Sequence, residues 1–141
     1  MTRLSVIAVR LSLLHLLTGF TFGALLLAHK GVPFAPWAWR LLPGHMDVLL
    51  FGFVIQLAMG IGYWILPRYP GADAPRGRAW PVWAAVALIN AGVLLALAGG
   101  WFNLTAGLLA ARALEGAAAA LFAAHAWGRV RPLVPGKPKS S

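Results

Sequence analysis

A chain of 141 residues that is 60% hydrophobic and only 11% charged falls outside ordinary soluble domains, in which about a quarter of residues carry charge. Its lack of cysteine excludes disulfides, thiolate metal sites, c-type haem attachment and cysteine nucleophiles. The net charge of +9 sits beside long apolar stretches, which points to membrane topology and leaves nucleic-acid binding with nothing but charge in its favour.

The apolar stretches lie at about residues 5–28, 45–66, 80–99 and 106–127, each near the roughly twenty residues a spanning helix requires. They predict an all-α integral membrane protein with four transmembrane helices in one domain over 1–128 and a basic tail over 129–141. Arg3, Arg10, Arg68, Arg76, Arg78, Arg129, Arg131, Lys137 and Lys139 fall on one side of this layout, against Lys30 and Arg40 on the other. Both termini are therefore expected in the cytoplasm, and the chain is expected in a bacterial inner membrane as a multi-pass protein.

The first stretch opens with basic residues like a signal peptide, but its apolar part is too long and no small-x-small cleavage site follows, so it reads as a retained helix. On it, His15 shares a face with Gly19, Phe22 and His29, and Gly19-x-x-x-Gly23 marks close helix contact. The loop GVPFAPWAWRLLPG is expected to lie in the outer headgroup region, anchored by Trp37 and Trp39.

The second stretch, between Pro43 and Pro70, reads GHMDVLLFGFVIQLAMGIGYWILPRY. Ionisable groups in a membrane span are expensive, which singles out His45 and Asp47. At about 100° per residue His45, Leu49, Gly52, Gln56, Met59 and Tyr63 form one stripe, with Gly60 at its margin. Such a face turns inward, either as a helix-packing seam or as the wall of a cofactor site. Asp47 points about 200° from His45. With Gly44 as N-cap, Asp47 would favour the helix dipole from the third helical position; pairing with Arg112 is the competing role. His29 and His45 are expected at the same outer level, where they could share a metal.

The loop that follows is rich in Pro, Gly and Arg, and Trp80-Pro81 opens the third helix. The very short turn near Gly99–Asn103 makes helices three and four antiparallel neighbours. On helix four, Arg112 and Glu115 lie three residues apart on one face, about 9–14 Å from its outer end. They can neutralise each other, with Asp47 or a haem propionate as further partners for the arginine. Glu115 is the group to carry a proton if protons move. His15 and His125 both belong to the inner half but differ in depth by about 10 Å, an awkward axial pair for one haem.

His45 followed by LLFGFVIQLAMGIGYWILPRY resembles a ligand helix of subunit I of haem–copper oxidases and nitric oxide reductases, over about thirty residues. That subunit has twelve helices in three arcs of four, and this chain resembles one arc. The resemblance implies His45 as a ligand of b-type haem, or of copper or zinc, with Gly52 and Gly60 as the small residues that make room along the helix. The paired copper-binding histidines and the histidine-linked tyrosine have no counterpart here, so a complete oxygen- or NO-reducing centre is not expected from one chain.

Three copies would rebuild the twelve-helix outline, which makes a homotrimer the expected assembly. The leading functional expectation is a haem or metal protein for electron transfer or O2/NO handling, with cofactor contacts from His45, Gly52, Gln56, Tyr63 and Arg112. The alternative is a non-catalytic accessory or scaffold subunit beside a respiratory-chain partner. No serine, histidine and carboxylate share one depth, which argues against a hydrolase or acyl transferase.

Overall fold

The computed structural model describes residues 1–68 and 76–130. Residues 69–75 of the second loop and the tail over 131–141 lie outside the described residues. Among those described, every regular element is helical.

Helix α1 (Arg3–Gly31) starts where the Thr2 side chain accepts the Ser5 N–H at 3.2 Å, satisfying one of the unpaired amides of the first turn. Helix α2 (Pro36–Ile65) is continuous but changes pitch three times. A 3-10 turn over Pro36–Arg40 leads into α-helix over Leu41–Asp47, then a π-helical stretch over Val48–Ile55, then α-helix over Gln56–Ile65. Helix α3 (Trp80–Phe102) takes Pro81 in its first turn, where a missing N–H costs nothing, and ends on Asn103 in the left-handed region at φ 55°. Helix α4 (Thr105–Trp127) follows at once. All four are long and apolar enough to cross a membrane; at 1.5 Å per residue the shortest measures about 35 Å against a hydrocarbon core of about 30 Å.

The beginning of α2 differs from the sequence expectation. Pro36, in the first turn of the 3-10 segment, begins the helix, so the loop predicted to lie in the headgroups supplies its first turns and Pro43 is inside it. Gly44 is consequently not an N-cap, and Asp47 lies too far along the helix to act on its dipole. The π turns also alter the faces. Gly44, Val48, Gly52, Gln56 and Gly60 are buried at intervals of four, a spacing that the wider π turns hold in line where a 3.6-residue helix would let it drift.

Helix α1 lies along most of α2, and α3 and α4 form the other extensive pair. Backbones approach closely beside the turn, where a Cβ on Gly99 would stand 3.1 Å from the Leu108 nitrogen. Met59, Ala85, Ile89 and Ala118 bring α2, α3 and α4 together, with Phe51, Ile55 and Phe122 around them. At one end Leu4, Tyr63 and Val82 close the bundle. Arg129 reaches Tyr63 there as well, so the starts of α1 and α3 and the ends of α2 and α4 share that end.

Arg129 corrects a second expectation. Rather than opening the basic tail, it is 1% exposed. Its Nε donates to Pro67 O at 3.1 Å, and its Nη2 donates to Tyr63 O at 3.0 Å and Leu66 O at 2.7 Å. It thereby caps the carbonyls that the end of α2 leaves unpaired, and its guanidinium lies 5.3 Å above the Tyr63 ring.

Candidate functional site between α1 and α2

His45 faces α1. Its Nδ1 lies 2.8 Å from the Gly19 carbonyl oxygen, which can only accept, so Nδ1 is a donor and, in the neutral ring, Nε2 is the nitrogen with the lone pair. Gly23 makes room for the ring: a Cβ there would come 2.8 Å from the imidazole Cε1. The Gly19-x-x-x-Gly23 spacing thus makes room for side chains of the facing helix, Leu49 at Gly19 and His45 at Gly23. Beside the ring runs an open groove of about 270 Å³, lined chiefly by Gly23, Leu26, Lys30, Trp39, Leu42 and His45.

The other histidines are engaged differently. The His29 Nδ1 accepts the N–H groups of Phe34 and Ala35 at 3.1 and 3.0 Å, which leaves Nε2 as the protonated nitrogen. Phe34 and Trp39 pack edge-on against that ring. His29 therefore organises the α1–α2 link, while His45 lies beside Gly23, six residues and about 9 Å earlier along α1. Each has its own partners, and the shared metal expected of the pair draws no support from that separation. Among the described residues, no three His, Asp or Glu side chains are grouped to hold a metal ion.

His15 belongs to an interior polar chain. Its Nε2 donates to Asn90 Oδ1 at 2.9 Å, and Asn90 Nδ2 donates to Gln56 Oε1 and Val86 O, both at 2.7 Å. Gln56 Nε2 completes the chain by donating to Ala8 O at 3.2 Å. The His15 ring rests on Gly52, whose Cβ would meet Cγ at 2.6 Å and Nδ1 at 2.9 Å. Gly52 and Gln56 are thus spent on contact with α1 and α3. Tyr63 packs with Leu4 and Val82, and its ring lies 5.8 Å from that of His125. None of these four lines the groove beside His45.

Asp47 faces away from α1, as its angle from His45 requires, and meets Arg112. The guanidinium grips it with two bonds, Nη1 to Oδ1 at 2.7 Å and Nη2 to Oδ2 at 2.9 Å. Arg112 Nη1 also donates to Glu115 Oε2 at 2.7 Å. Both carboxylates are buried, whereas the Arg112 side chain is 47% exposed and passes over Phe51. Two carboxyl groups share the one guanidinium, and among the described residues Glu115 Oε1 is buried without a hydrogen-bond partner. The competing pairings predicted for Arg112 coexist: one fork bridges α2 and α4 and reaches along α4.

Asn90 and Arg129 escaped the sequence reading. Asn90 is the one amide in the apolar run of α3, and that isolation was a usable signal, because a lone amide in lipid has to find a partner on another helix. Arg129 gave no such signal, since its acceptors belong to backbone more than sixty positions away.

No family model, curated protein or solved structure matches this chain.

Proposed function

We propose that the chain is a multi-pass membrane protein, both ends on the basic, cytoplasmic side of a bacterial inner membrane, in which His45 would be the residue that holds b-type haem. The observation that carries the reading is the Gly19 carbonyl on His45 Nδ1. Ligating histidines characteristically donate their other N–H to such an acceptor, which fixes the tautomer and the ring's direction. Insertion itself is supported by the four long apolar helices and by Leu13, Leu14, Leu17, Phe20, Leu27, Leu50 and Leu94 standing exposed around them, far more outward apolar surface than a water-facing protein keeps.

The residues around His45 fit a flat apolar cofactor with acidic edges: Trp39, Leu26 and Leu42 offer apolar walls, and Lys30 offers a cation to propionate groups. Haem bound there would supply one-electron chemistry or coordination of a diatomic gas. The chain's own part would be to orient the imidazole through its Nδ1–H and to exclude water from one side. The groove is open on its other side, which supports completion by further copies and agrees with a homotrimer resembling the twelve-helix outline of haem–copper oxidase subunit I. A copper or zinc site would need donors from several copies.

Protein purified after growth with haem supply is expected to show a Soret band that disappears in His45→Ala, with a native mass near three protomers. Colourless protein that ignores added hemin would refute the assignment. A second reading, an accessory or scaffold subunit of a respiratory complex, is favoured by Gly52, Gln56, Tyr63 and Arg112 being committed to contacts within the bundle. Co-purification with such a complex without colour would select it.

A further inference from the structure

We propose that the basic end of α1 is a binding site for an anionic phospholipid, with the phosphate between Arg3 and Arg10 and one acyl chain lying between α1 and α3. Two grooves carry the inference. One, of about 310 Å³, is lined by Met1, Arg3, Val6, Ile7 and Arg10. The other, of about 330 Å³, is lined by Ile7, Leu11, Trp83, Val86, Ala87 and Asn90 and is almost wholly apolar. They share Ile7, so a basic recess lies directly beside an apolar groove between two helices, an arrangement that suits the head and one chain of a phospholipid better than free phosphate.

Arg3 and Arg10 are seven residues apart, two helical turns, which sets them on one face about 10 Å from each other. Both are exposed, and among the described residues neither has a carboxylate partner. The sequence has three acidic residues: Asp47 and Glu115 belong to Arg112, and Asp73 lies outside the described residues. Helix α1 has 29 residues and measures about 43 Å, against about 30 Å of hydrocarbon. Arg3 then lies at headgroup level and Arg10 a few ångströms below it, where a long side chain turns back toward the phosphates. The two guanidiniums close on one phosphate from above and below. Trp83, 42% exposed, stands beside the channel as a built-in reporter.

The inference rests on membrane insertion with this end in the inner leaflet. Full-length protein is reconstituted into phosphatidylcholine vesicles doped with phosphatidylglycerol brominated in its acyl chains, and Trp83 quenching is read as the difference between wild type and Trp83→Phe. Quenching is expected at low phosphatidylglycerol content. Replacing both arginines (R3Q/R10Q) should raise the amount needed roughly tenfold or more, because two charge-assisted hydrogen bonds to one phosphate are lost. Removing equal charge elsewhere at this end (R68Q/R78Q) should change it little. Ala87→Phe, which fills the channel with both arginines present, should abolish the Trp83 component. Equal shifts in the two double variants, or equal quenching by brominated phosphatidylcholine, would overturn the site in favour of diffuse attraction. Release of the protein from vesicles by alkaline carbonate would instead refute membrane insertion, so the two failures are distinguishable.

Discussion

Removing the Arg112 guanidinium tests whether its fork holds α2 to α4. In Arg112→Met, Asp47, 4% exposed, and Glu115, 1% exposed, lose the cation that all three charged bonds share. At an effective dielectric constant of about 20, one such contact amounts to roughly 4 kcal/mol. Two are lost, and the mutual repulsion of the carboxylates is no longer offset. Breaking one partner out of a buried pair costs about 3–5 kcal/mol in practice, and the half-exposed arginine argues for the lower part of that range. Expected, then, is a loss of about 3 kcal/mol, read as earlier unfolding when SDS is titrated into mixed micelles and followed by circular dichroism. The two acids should respond unequally. Asp47→Asn breaks the bidentate pair and should cost about 2–3 kcal/mol, whereas Glu115→Gln keeps an amide oxygen that accepts the one Arg112 bond and should cost under about 1 kcal/mol. An all-apolar replacement of the three (D47L/R112M/E115M) should recover most of the R112M loss. Wild-type resistance to SDS in R112M, or equal costs for D47N and E115Q, would refute the reasoning.

Asn90→Leu strips His15 Nε2 and Gln56 Oε1 of their partner at once and should lower stability by about 2–3 kcal/mol in the same titration, with faster amide exchange at the α1–α3 contact. Two glycine substitutions should separate cleanly. Gly52→Ala drives a Cβ into the His15 ring and should cost about 1–3 kcal/mol, while Gly116→Ala, with nothing within 4 Å of its Cβ, should be neutral or add up to about 1 kcal/mol through helix propensity. Arg129→Gln should fray the end of α2, exposing the Tyr63 and Leu66 carbonyls; limited proteolysis near Pro67 would detect it, and unchanged cleavage would count against the cap.

The number and approximate extent of the helices were legible because apolar length is a property of consecutive residues, and so was the Asp47–Arg112 pair as one candidate, because depth along two parallel helices follows from counting. The start of α2 was not. Pro43-Gly44 reads as a break, yet Pro36 had already begun the helix with a 3-10 turn, and no local residue type announces that choice. The π stretch is equally silent, so a stripe drawn at 3.6 residues per turn joined Gln56 and Tyr63 to His45 on one face. In the structure, α1 and α3 claim Gln56 through Ala8 O and Asn90, and the first and third helices claim Tyr63 through Leu4 and Val82.

Apart from the His15–Asn90 bond between α1 and α3, the interhelical polar contacts described above pass through α2: His45 to α1, Asp47 to α4, Gln56 to α1 and α3, and the carbonyls at its end to Arg129. In lipid, apolar side chains give helices little reason to prefer one another over the solvent, so packing and polar contacts have to specify the bundle. A helix used in this way has little polar capacity left for a ligand. What remains can be read from tautomers. His29 offers only an N–H, and the acceptor nitrogen of His15 is pressed against Gly52. His45 combines a directed Nδ1–H with an adjoining open groove, and the proposed ligand role rests on that combination in the bundle's most heavily used helix.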